Sequence, residues 1–271
     1  MDIALIYMVA GMSSRFGGKV KQFAPVGKNR ETLIEYSLNQ AIPAGFTKII
    51  FIVGEKTEDL FMEKFGNEYK GIPIYYAFQD YDQEIRDKPW GTTDALCTIK
   101  DIVDCPFVIC NGDDIYGENS FKTIVNHLTK PESKGVQATI GYRLGDVLPE
   151  EGTVNRGIFS IDQNSYVKGL VETFNIGKAS SAESGLTENS LCSMNLFGFF
   201  PEVVVEFKNI LENFKEENKG DRKIECLLPK DVSDLIQKGE MRMKIYPTMD
   251  KWYGLTNPED EEKLRTALLN S

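Results

Sequence analysis

Short, wholly apolar segments alternate with amphipathic segments along the first half of the chain. Segments that are apolar at nearly every position are typical of strands buried on both faces. The segments between them carry apolar residues at helical spacing. This alternation predicts a mostly parallel sheet covered by helices on both sides. The predicted strands of this half are residues 3–9, 48–53, 72–78 and 107–110, and the predicted helices are residues 33–44, 57–65 and 92–102.

The second half of the chain has a more mixed pattern. Its predicted strands are residues 136–142, 157–161, 167–172, 193–199 and 243–246, and its predicted helices are residues 202–213, 232–237 and 260–269. No linker-like stretch separates the two halves. We therefore predict one domain over residues 1–271, built from two lobes.

The composition is that of an ordinary globular protein, with 41% hydrophobic and 27% charged residues. The formal net charge of -10 argues against a nucleic-acid polymer as partner, because proteins that bind the phosphate backbone carry basic stripes. No apolar run approaches the roughly 18 residues of a membrane span, so no membrane partner is expected. The five cysteines are scattered without a Cys-x-x-Cys pair, which favours reduced thiols and a cytoplasmic location.

The first candidate site follows the first predicted strand. Residues 9–18 read V-A-G-M-S-S-R-F-G-G, and Lys21 comes shortly after them. Glycine lets the main chain approach an anion closely, so that successive N–H groups can point at phosphates. Arg15 and Lys21 add positive charge to this loop. A plain connection with solvated charges is the alternative, but the order of strand, small residues, arginine and lysine favours phosphate binding.

The second candidate site is a pair of acids, Asp113 and Asp114, directly after the strand predicted at residues 107–110. Ligands of open α/β sheets bind at this carboxyl edge, and adjacent carboxylates repel each other unless a cation or donors stabilise them. Mg²⁺ takes one or two carboxylates together with substrate phosphates, which makes Asp113 the candidate ligand. Gly112 would let the main chain lie against a nucleotide. An acidic turn that caps the next helix is the alternative.

The third candidate site combines Gln79 with residues 88–96, which read K-P-W-G-T-T-D-A-L. Gly91 and Thr92 lie where a helix is predicted to begin, and exposed N–H groups there favour anions or base edges. An amide such as Gln79 can donate to and accept from one edge of a base, which suits a pyrimidine. A threonine at this position is, by itself, more often an N-cap.

In this order, the three segments resemble the sugar-phosphate nucleotidyltransferase family of the NTP transferase superfamily. The resemblance is to a bacterial branch with A-G-M-x-S-R-[FY]-G-G-x-K-Q, K-P-W-G-T and N-[AG]-D-D motifs, and residues 193–199 and 251–256 also match it. It implies a Rossmann-like, three-layer α/β/α fold with a mixed, mostly parallel sheet. It also implies an Mg²⁺-dependent enzyme that transfers NMP from an NTP to a phosphorylated small molecule, such as a sugar 1-phosphate, and releases pyrophosphate.

The resemblance assigns the NTP to a lobe of residues 1–115. The triphosphate would bind the amides of Ala10, Gly11 and Met12. Arg15 would neutralise it, and Lys21 would lie near the reacting phosphates. This assignment requires that the loop and the paired acids face a common cavity, where a triphosphate and its metal ion could bind together.

The base and the metal would bind further along the same lobe. Gln79, Gly91 and Thr92 would read the base, with pyrimidines favoured. Gly112 would lie against the nucleotide, and Asp113 would hold Mg²⁺.

The acceptor is assigned to a lobe of residues 116–271. Glu172 falls where the family carries an acceptor-binding E-K-P, and Asn195 falls where an acceptor-binding Asn or Gly lies. Thr173 replaces the lysine of E-K-P, which puts a sugar 1-phosphate acceptor in doubt. Gly254 replaces a second metal-binding Asp, and Asp250 is the substitute candidate, although a simple turn acid is equally compatible.

Several alternatives stay open. A cytidylyl- or uridylyltransferase would use a non-sugar phosphate such as phosphocholine or a phosphorylated amino acid. A glycosyltransferase would use the paired acids with an NDP-sugar, and a nucleotide sensor would bind NTP without releasing pyrophosphate. The nucleobase and the oligomeric state, including a homo-oligomer, are also open. His127, the single histidine, is interpreted as structural, which argues against zinc and histidine-centred catalysis.

Overall fold

The computed structural model describes residues 1–11, 20–149, 151–178, 185–255 and 260–269. The strands are β1 (Ala4–Met8), β2 (Lys48–Val53), β3 (Glu68–Tyr69), β4 (Ile72–Phe78), β5 (Phe107–Asn111), β6 (Asp114–Ile115), β7 (Gln137–Arg143), β8 (Val154–Ile161), β9 (Val167–Ile176), β10 (Leu191–Ser193), β11 (Phe197–Phe199), β12 (Met243–Pro247) and β13 (Tyr253–Gly254). The α-helices are α1 (Leu33–Ala41), α2 (Glu58–Phe65), α3 (Thr92–Cys97), α4 (Glu118–Leu128), α5 (Leu144–Val147), α6 (Val203–Glu217), α7 (Leu228–Gln237) and α8 (Asp260–Leu269).

One mixed sheet of 11 strands forms the centre of the described chain. Its order is β3-β4-β2-β1-β5-β11-β7-β10-β8-β9, with β12 added beside β7. The central strands β4, β2, β1 and β5 run parallel, and antiparallel strands extend the sheet beyond β5. β6 and β13 form a separate antiparallel pair, in which Asp114 lies opposite Gly254. The prediction of a three-layer α/β fold with a mixed, mostly parallel central sheet is confirmed.

Strand β1 shows why helices cover both faces of the sheet. Leu5 and Tyr7 pack in one core with α1, α2 and α4, whereas Ala4 and Ile6 pack in a second core with α3, α6 and α7. All four side chains are fully buried, because successive residues of a strand face opposite sides. A strand in this position must be apolar throughout, which is the pattern of residues 3–9.

Proline sets two helix boundaries that differ from the predictions. The helix predicted over residues 33–44 continues beyond α1 as a 3-10 turn, Ile42–Ala44, because Pro43 has no N–H to donate. Helix α7 begins at Leu228, four residues before its predicted start. Pro229 lies in its first turn, where proline is tolerated because the first N–H groups have no helical partner.

Two other elements are shorter than the sequence pattern predicted. The strand predicted over residues 193–199 is divided into β10 and β11 by Asn195, whose φ of 59° is left-handed. The helix predicted over residues 92–102 ends as α3. After it, Ile99 N donates to Leu96 O, three residues back, so the chain tightens into successive turns that still bury Ile99.

A small third hydrophobic cluster lies around the β6–β13 pair. Leu264 and Leu268 of α8 join Ile115, Leu255 and Leu33 in this cluster. Ile115 directly follows Asp114 in β6. Helix α8 therefore packs against the residues that support the acidic turn.

The five cysteines are all free thiols, four of them buried. Burial raises the pKa of Cys97 and of Cys192 to about 12, so neither is a reactive thiolate at neutral pH. Among the described helices, none has the length and apolar content needed to cross a membrane.

The order in which successive strands are added to the sheet changes side at β1. Strands β2 and β4 lie on one side of β1 and β5 lies on the other. Met8 pairs with Asn111 in the register of β1 and β5, so both strands end at the same level. Open α/β sheets bind ligands at the carboxyl ends of strands at such a switch point. The fold therefore brings the first two candidate segments to one edge.

Candidate active site

A cavity of about 540 Å³ lies at this switch point. Its wall includes Ala10 and Gly11 after β1, Gln79 after β4 and Asp113 after β5. The carboxyl ends of these parallel strands meet at one edge of the sheet, which explains why residues so distant in sequence share a cavity. Met12 and Arg15, predicted to bind the triphosphate, lie outside the described residues.

Lys21 and Asp113 link the two sides of the switch point. Lys21 Nζ donates to Asp113 Oδ2 at 2.6 Å, and the two side chains are 13% and 32% exposed. The contact joins the segment after the first loop to the turn after β5. Ala10 and Gly11 line the first cavity together with Asp113, and Lys21 lines the second together with Asp113 and Asp114, so the described residues on either side of the loop share cavities with the acidic turn.

Gly112 allows the turn after β5 to lie against the end of β1. Its N–H donates to Met8 O at 3.1 Å. A Cβ at this position would lie 2.2 Å from Val9 Cγ1, so the Val9 side chain or the main chain would have to shift. Glycine is favoured here because the two segments approach closely.

Asp114 is the buried member of the acidic pair, with 6% of its surface exposed. Its Oδ2 accepts hydrogen bonds from Asn111 Nδ2 at 2.8 Å and from the Tyr116 hydroxyl at 3.2 Å. Burial, and after it the charge of Asp113, raises the pKa of Asp114 to about 7. Two adjacent carboxylates of this kind are a site that a divalent cation would stabilise.

Gln79 forms part of the floor of the cavity and is 7% exposed. Its Nε2 donates to Gly91 O and to Asp94 Oδ2, both at 2.9 Å. Because both partners can only accept, they fix the orientation of the amide. Gln79 Oε1 has no hydrogen-bond partner among the described residues, so it is the atom left to meet a ligand.

Gly91 and Thr92 also line the first cavity. Gly91 has a φ of 107°, and a Cβ there would lie 2.4 Å from Cys226 O. Thr92 Oγ1 accepts a hydrogen bond from Leu228 N at 2.9 Å. The start of α3 is thus held tightly against the segment that leads into α7.

A second cavity, of about 890 Å³, shares Thr92, Asn111 and Asp113 with the first. The rest of its wall comes mainly from β8, β9, the turn between β10 and β11, and one side of α7. The predicted acceptor-binding residues Glu172 and Asn195 both line it. A ligand in one cavity and a ligand in the other would therefore meet at Asp113.

Position 254 has no space for the carboxylate that the family pattern carries there. A Cβ on Gly254 would lie 2.4 Å from the Trp252 ring and 2.9 Å from Asp114 Oδ1. The Trp252 ring and the carboxylate of Asp114, which is opposite Gly254 in the β6–β13 pair, occupy this space.

Asp250, the substitute metal ligand suggested by the sequence, lies at the N-terminus of α4. It accepts hydrogen bonds from Ser120 N at 2.7 Å and from Asn119 Nδ2 at 3.0 Å. It is not among the described residues that line either cavity. This position is that of a helix cap, and its role in metal binding stays a prediction.

Asn111 and Arg156 are two polar residues of the second cavity that the sequence analysis did not assign to the site. Asn111 holds the Asp114 carboxylate, and its place in the N-G-D-D motif was the available signal. Arg156 of β8 lines the cavity, and no motif marked it.

Residues 17–262 match the family described as Nucleotidyl transferase, and the chain belongs to this family. A curated relative, the UTP–glucose-1-phosphate uridylyltransferase AglF of Haloferax volcanii, is 30% identical over 87 residues. That match spans only 32% of this chain and 32% of the relative.

Solved structures share the fold over nearly the whole chain. A structure described as a glucose-1-phosphate thymidylyltransferase from Bacillus anthracis, in complex with a sucrose, has a TM-score of 0.70 and 15% identity, covering 99% of this chain and 96% of that one. UDP-glucose pyrophosphorylase complexed with UDP-glucose has a TM-score of 0.69 and 16% identity, covering 100% and 99%. HddC from Yersinia pseudotuberculosis, complexed with GMP-PN, has a TM-score of 0.62 and 14% identity, covering 98% and 99%. At these identities the likeness establishes the fold.

Proposed function

We propose that the protein transfers a nucleoside monophosphate from an NTP to a sugar 1-phosphate and releases pyrophosphate. The observation that carries the proposal is the meeting of two cavities at Asp113, beside the Lys21 ammonium. A transferase needs its two substrates on either side of one point. Membership of the nucleotidyl transferase family supports the reaction type, and the name of the relative AglF supports this class of acceptor.

In this proposal the first cavity binds the NTP. Both amide N–H groups of Gln79 are already engaged, so its amide offers the base only Oε1, which is an acceptor. Uracil and thymine carry an N–H at ring position N3, whereas cytosine has an acceptor there. The proposed nucleotide is therefore UTP or dTTP, bound through N3–H, and comparison with CTP, whose 4-amino group can also donate, tests this choice.

The transfer is an in-line displacement. An oxygen of the acceptor phosphate attacks the α-phosphorus of the NTP, and pyrophosphate leaves. The attacking phosphate is already anionic, so no general base is required. The protein must hold two mutually repelling anions together and neutralise charge at the α-phosphate and the leaving group. Lys21 supplies positive charge at the point where the cavities meet, and Arg15 is proposed to supply more.

The residues of the cavity wall that would hold Mg²⁺ are Asp113 and Asp114. The fit rests on two adjacent carboxylates in the cavity wall and on Asp114 Oδ1, which has no hydrogen-bond partner in the described part of the chain. Within the described ranges no group of three or more His, Cys, Asp or Glu side chains is placed to hold a metal. Mg²⁺ bound by two carboxylates would use substrate oxygens for other positions and would neutralise phosphate charge.

The two lobes divide the substrates between them in this proposal. The described residues that line the first cavity all fall within residues 1–115, except Glu225. The second cavity takes most of its wall from residues 116–271. The cytoplasmic location and a homo-oligomeric state stay predictions.

The test is a grid of NTPs against phosphorylated acceptors, with pyrophosphate release as the measurement. UTP or dTTP with a hexose 1-phosphate and Mg²⁺ is expected to release pyrophosphate. Phosphocholine and phosphorylated amino acids in the same grid test the other acceptor class. NTP binding without pyrophosphate from any acceptor would contradict the proposal and favour a nucleotide sensor, while glycosyl transfer from an NDP-sugar would favour a glycosyltransferase.

A further inference from the structure

Two buried hydrogen-bond donors without a partner among the described residues belong to side chains that line the second cavity. In the part of the chain that the structure describes, the buried side-chain polar atoms without a hydrogen-bond partner are Arg156 Nε and Trp252 Nε1. Both residues line the second cavity, and the Arg156 guanidinium carbon lies 5.3 Å from the centroid of the Trp252 ring. Unpaired buried donors are unfavourable, so their concentration on one wall points to a ligand rich in oxygen acceptors.

The Arg156 guanidinium has no carboxylate partner among the described residues. Its Nη1 donates to Asn155 O at 3.0 Å and its Nη2 to Val147 O at 3.3 Å. Glu172 on the next strand affects the pKa of Arg156 but makes no ion pair with it. Burial lowers the pKa of Arg156, because the charges around it within the protein do not fully compensate the loss of solvent.

The other described cations of this wall already have partners. Lys21 pairs with Asp113 at 2.6 Å, and Lys230 pairs with Asp234 at 2.8 Å. Arg156 is thus the cation of the described wall whose charge is left for a ligand. A guanidinium also presents five N–H donors in a planar fork, of which two are used here.

The location of Arg156 suits an anion that reacts where the cavities meet. In the register of β8 and β9, Arg156 is opposite Thr173, the residue that stands after Glu172 in place of the lysine of E-K-P. The charge of Asp114 also acts on Arg156. The cation missing from β9 is therefore present on the neighbouring strand.

Part of the remaining wall is apolar. Leu170, Val171, Phe174, Leu227 and Pro229 line the same cavity. Their apolar surface can pack against a carbon skeleton but cannot bind a charge. Neutral polar side chains such as Ser193 and Asn195 also line the cavity and can hydrogen-bond an acceptor, but they carry no positive charge to compensate an anion.

We propose that Arg156 binds the phosphate group of the acceptor, a phosphate monoester. The inference rests on the proposed nucleotidyl transfer. A guanidinium matches phosphate geometry with two parallel N–H donors. Trp252 holds the guanidinium in place by a cation–π contact and acts as a positioning residue.

The experiment compares wild type, Arg156→Met, Arg156→Lys and the control Arg143→Met in steady-state pyrophosphate release with UTP and glucose 1-phosphate. Arg156→Met is expected to raise the acceptor KM about 10- to 100-fold with the KM for UTP unchanged. Arg156→Lys keeps the charge but not the planar fork of donors, so its acceptor KM is expected to lie between those of wild type and Arg156→Met. Arg143 is 38% exposed, is paired with Asp146 and lines neither of the two cavities, so Arg143→Met is expected to change the acceptor KM less than about twofold.

An unchanged acceptor KM in both Arg156 variants would overturn the assignment. Thermal unfolding of each variant checks the fold, and Arg156→Lys decides the outcome if Arg156→Met does not fold. If wild type releases no pyrophosphate with glucose 1-phosphate, nucleotidyl transfer to that acceptor fails, and calorimetric titration with inorganic phosphate in saturating UTP decides the Arg156 site separately. Phosphate binding that weakens about 10-fold in the Arg156 variants supports the site. Equal binding, or none by wild type, rejects it.

Discussion

Lys21 and Asp113 are 92 positions apart in sequence, yet Lys21 Nζ lies 2.6 Å from Asp113 Oδ2. Each residue is the counter-charge of the other in the absence of substrates. A cation beside Asp113 and a polyphosphate beside Lys21 would replace both partners at once. The pair therefore keeps two charges in the cavity without leaving either uncompensated.

Asp113→Ala is expected to lower kcat by at least about 10³-fold, because it removes a carboxylate at the point where both substrates meet. The side chain is partly exposed, so the thermal midpoint should change little. Pyrophosphate release at saturating UTP and Mg²⁺, together with circular dichroism, checks both statements. Turnover close to the wild-type value with magnesium would remove Asp113 from the mechanism.

Lys21→Met is expected to lower kcat by about 10²- to 10³-fold, because a positive charge at the phosphates is lost. Asp113 then has no competing partner, so Mg²⁺ should bind at least as tightly as in wild type. Isothermal titration with Mg²⁺ measures this directly. Loss of metal binding together with turnover would mean that Lys21 orders the acidic turn instead of acting on the phosphates.

Gln79→Leu is expected to raise the KM for UTP about 10-fold and to reduce the preference for UTP over CTP, since Oε1 no longer accepts from the base. The measurement is kcat/KM for each nucleotide. Gln137→Leu is the matched control, because Gln137 is also 7% exposed but accepts from Phe200 N, away from both cavities. A Gln79 variant with wild-type discrimination would show that other groups read the base.

Gly112→Ala is expected to destabilise the protein by about 1–3 kcal/mol and to lower turnover, because the added methyl group would overlap Val9. Gly220→Ala is the control, since a Cβ there has nothing within 4 Å. Its free energy of unfolding should stay within about 0.5 kcal/mol of wild type. Urea denaturation of both variants makes the comparison, and equal stabilities would show that the ends of β1 and β5 can move apart.

His127 is expected to make stability fall as the pH drops below 6.5, its ordinary pKa. Burial lowers the pKa of His127, whose ring nitrogens contact the Tyr246 hydroxyl and Val136 O. The unfolded chain therefore binds a proton at a pH where the folded chain does not, and stability declines by at most about 1.4 kcal/mol per pH unit.

The check is the free energy of unfolding at pH 7.5 and pH 5.5 for wild type and His127→Gln. The variant should lose less stability on acidification than wild type and should keep the wild-type KM values. Identical pH dependence in the two proteins would show that the histidine titrates normally in the folded state.

The sequence predicted the central strands because burial on both faces leaves an unbroken apolar pattern, as in β1 and β5. It also predicted which segments meet, since parallel strands place their carboxyl ends at one edge. The position of Arg156 opposite Thr173 depends on the β8–β9 register, which the alternating exposure of β8 does not specify. The β6–β13 pair has two residues in each strand, too few for any periodicity, so the facing of Asp114 and Gly254 could not be read in advance.

The third hydrophobic cluster makes the acidic turn depend on α8, an element outside the main sheet. Peripheral helices open with a smaller free energy than the sheet they cover. On gentle warming, release of Leu264 and Leu268 would loosen Ile115 and, with it, the neighbouring carboxylates of Asp113 and Asp114. Heat inactivation would then precede the loss of the α/β core, and an inactivated molecule would regain its activity on cooling without passing through the unfolded chain.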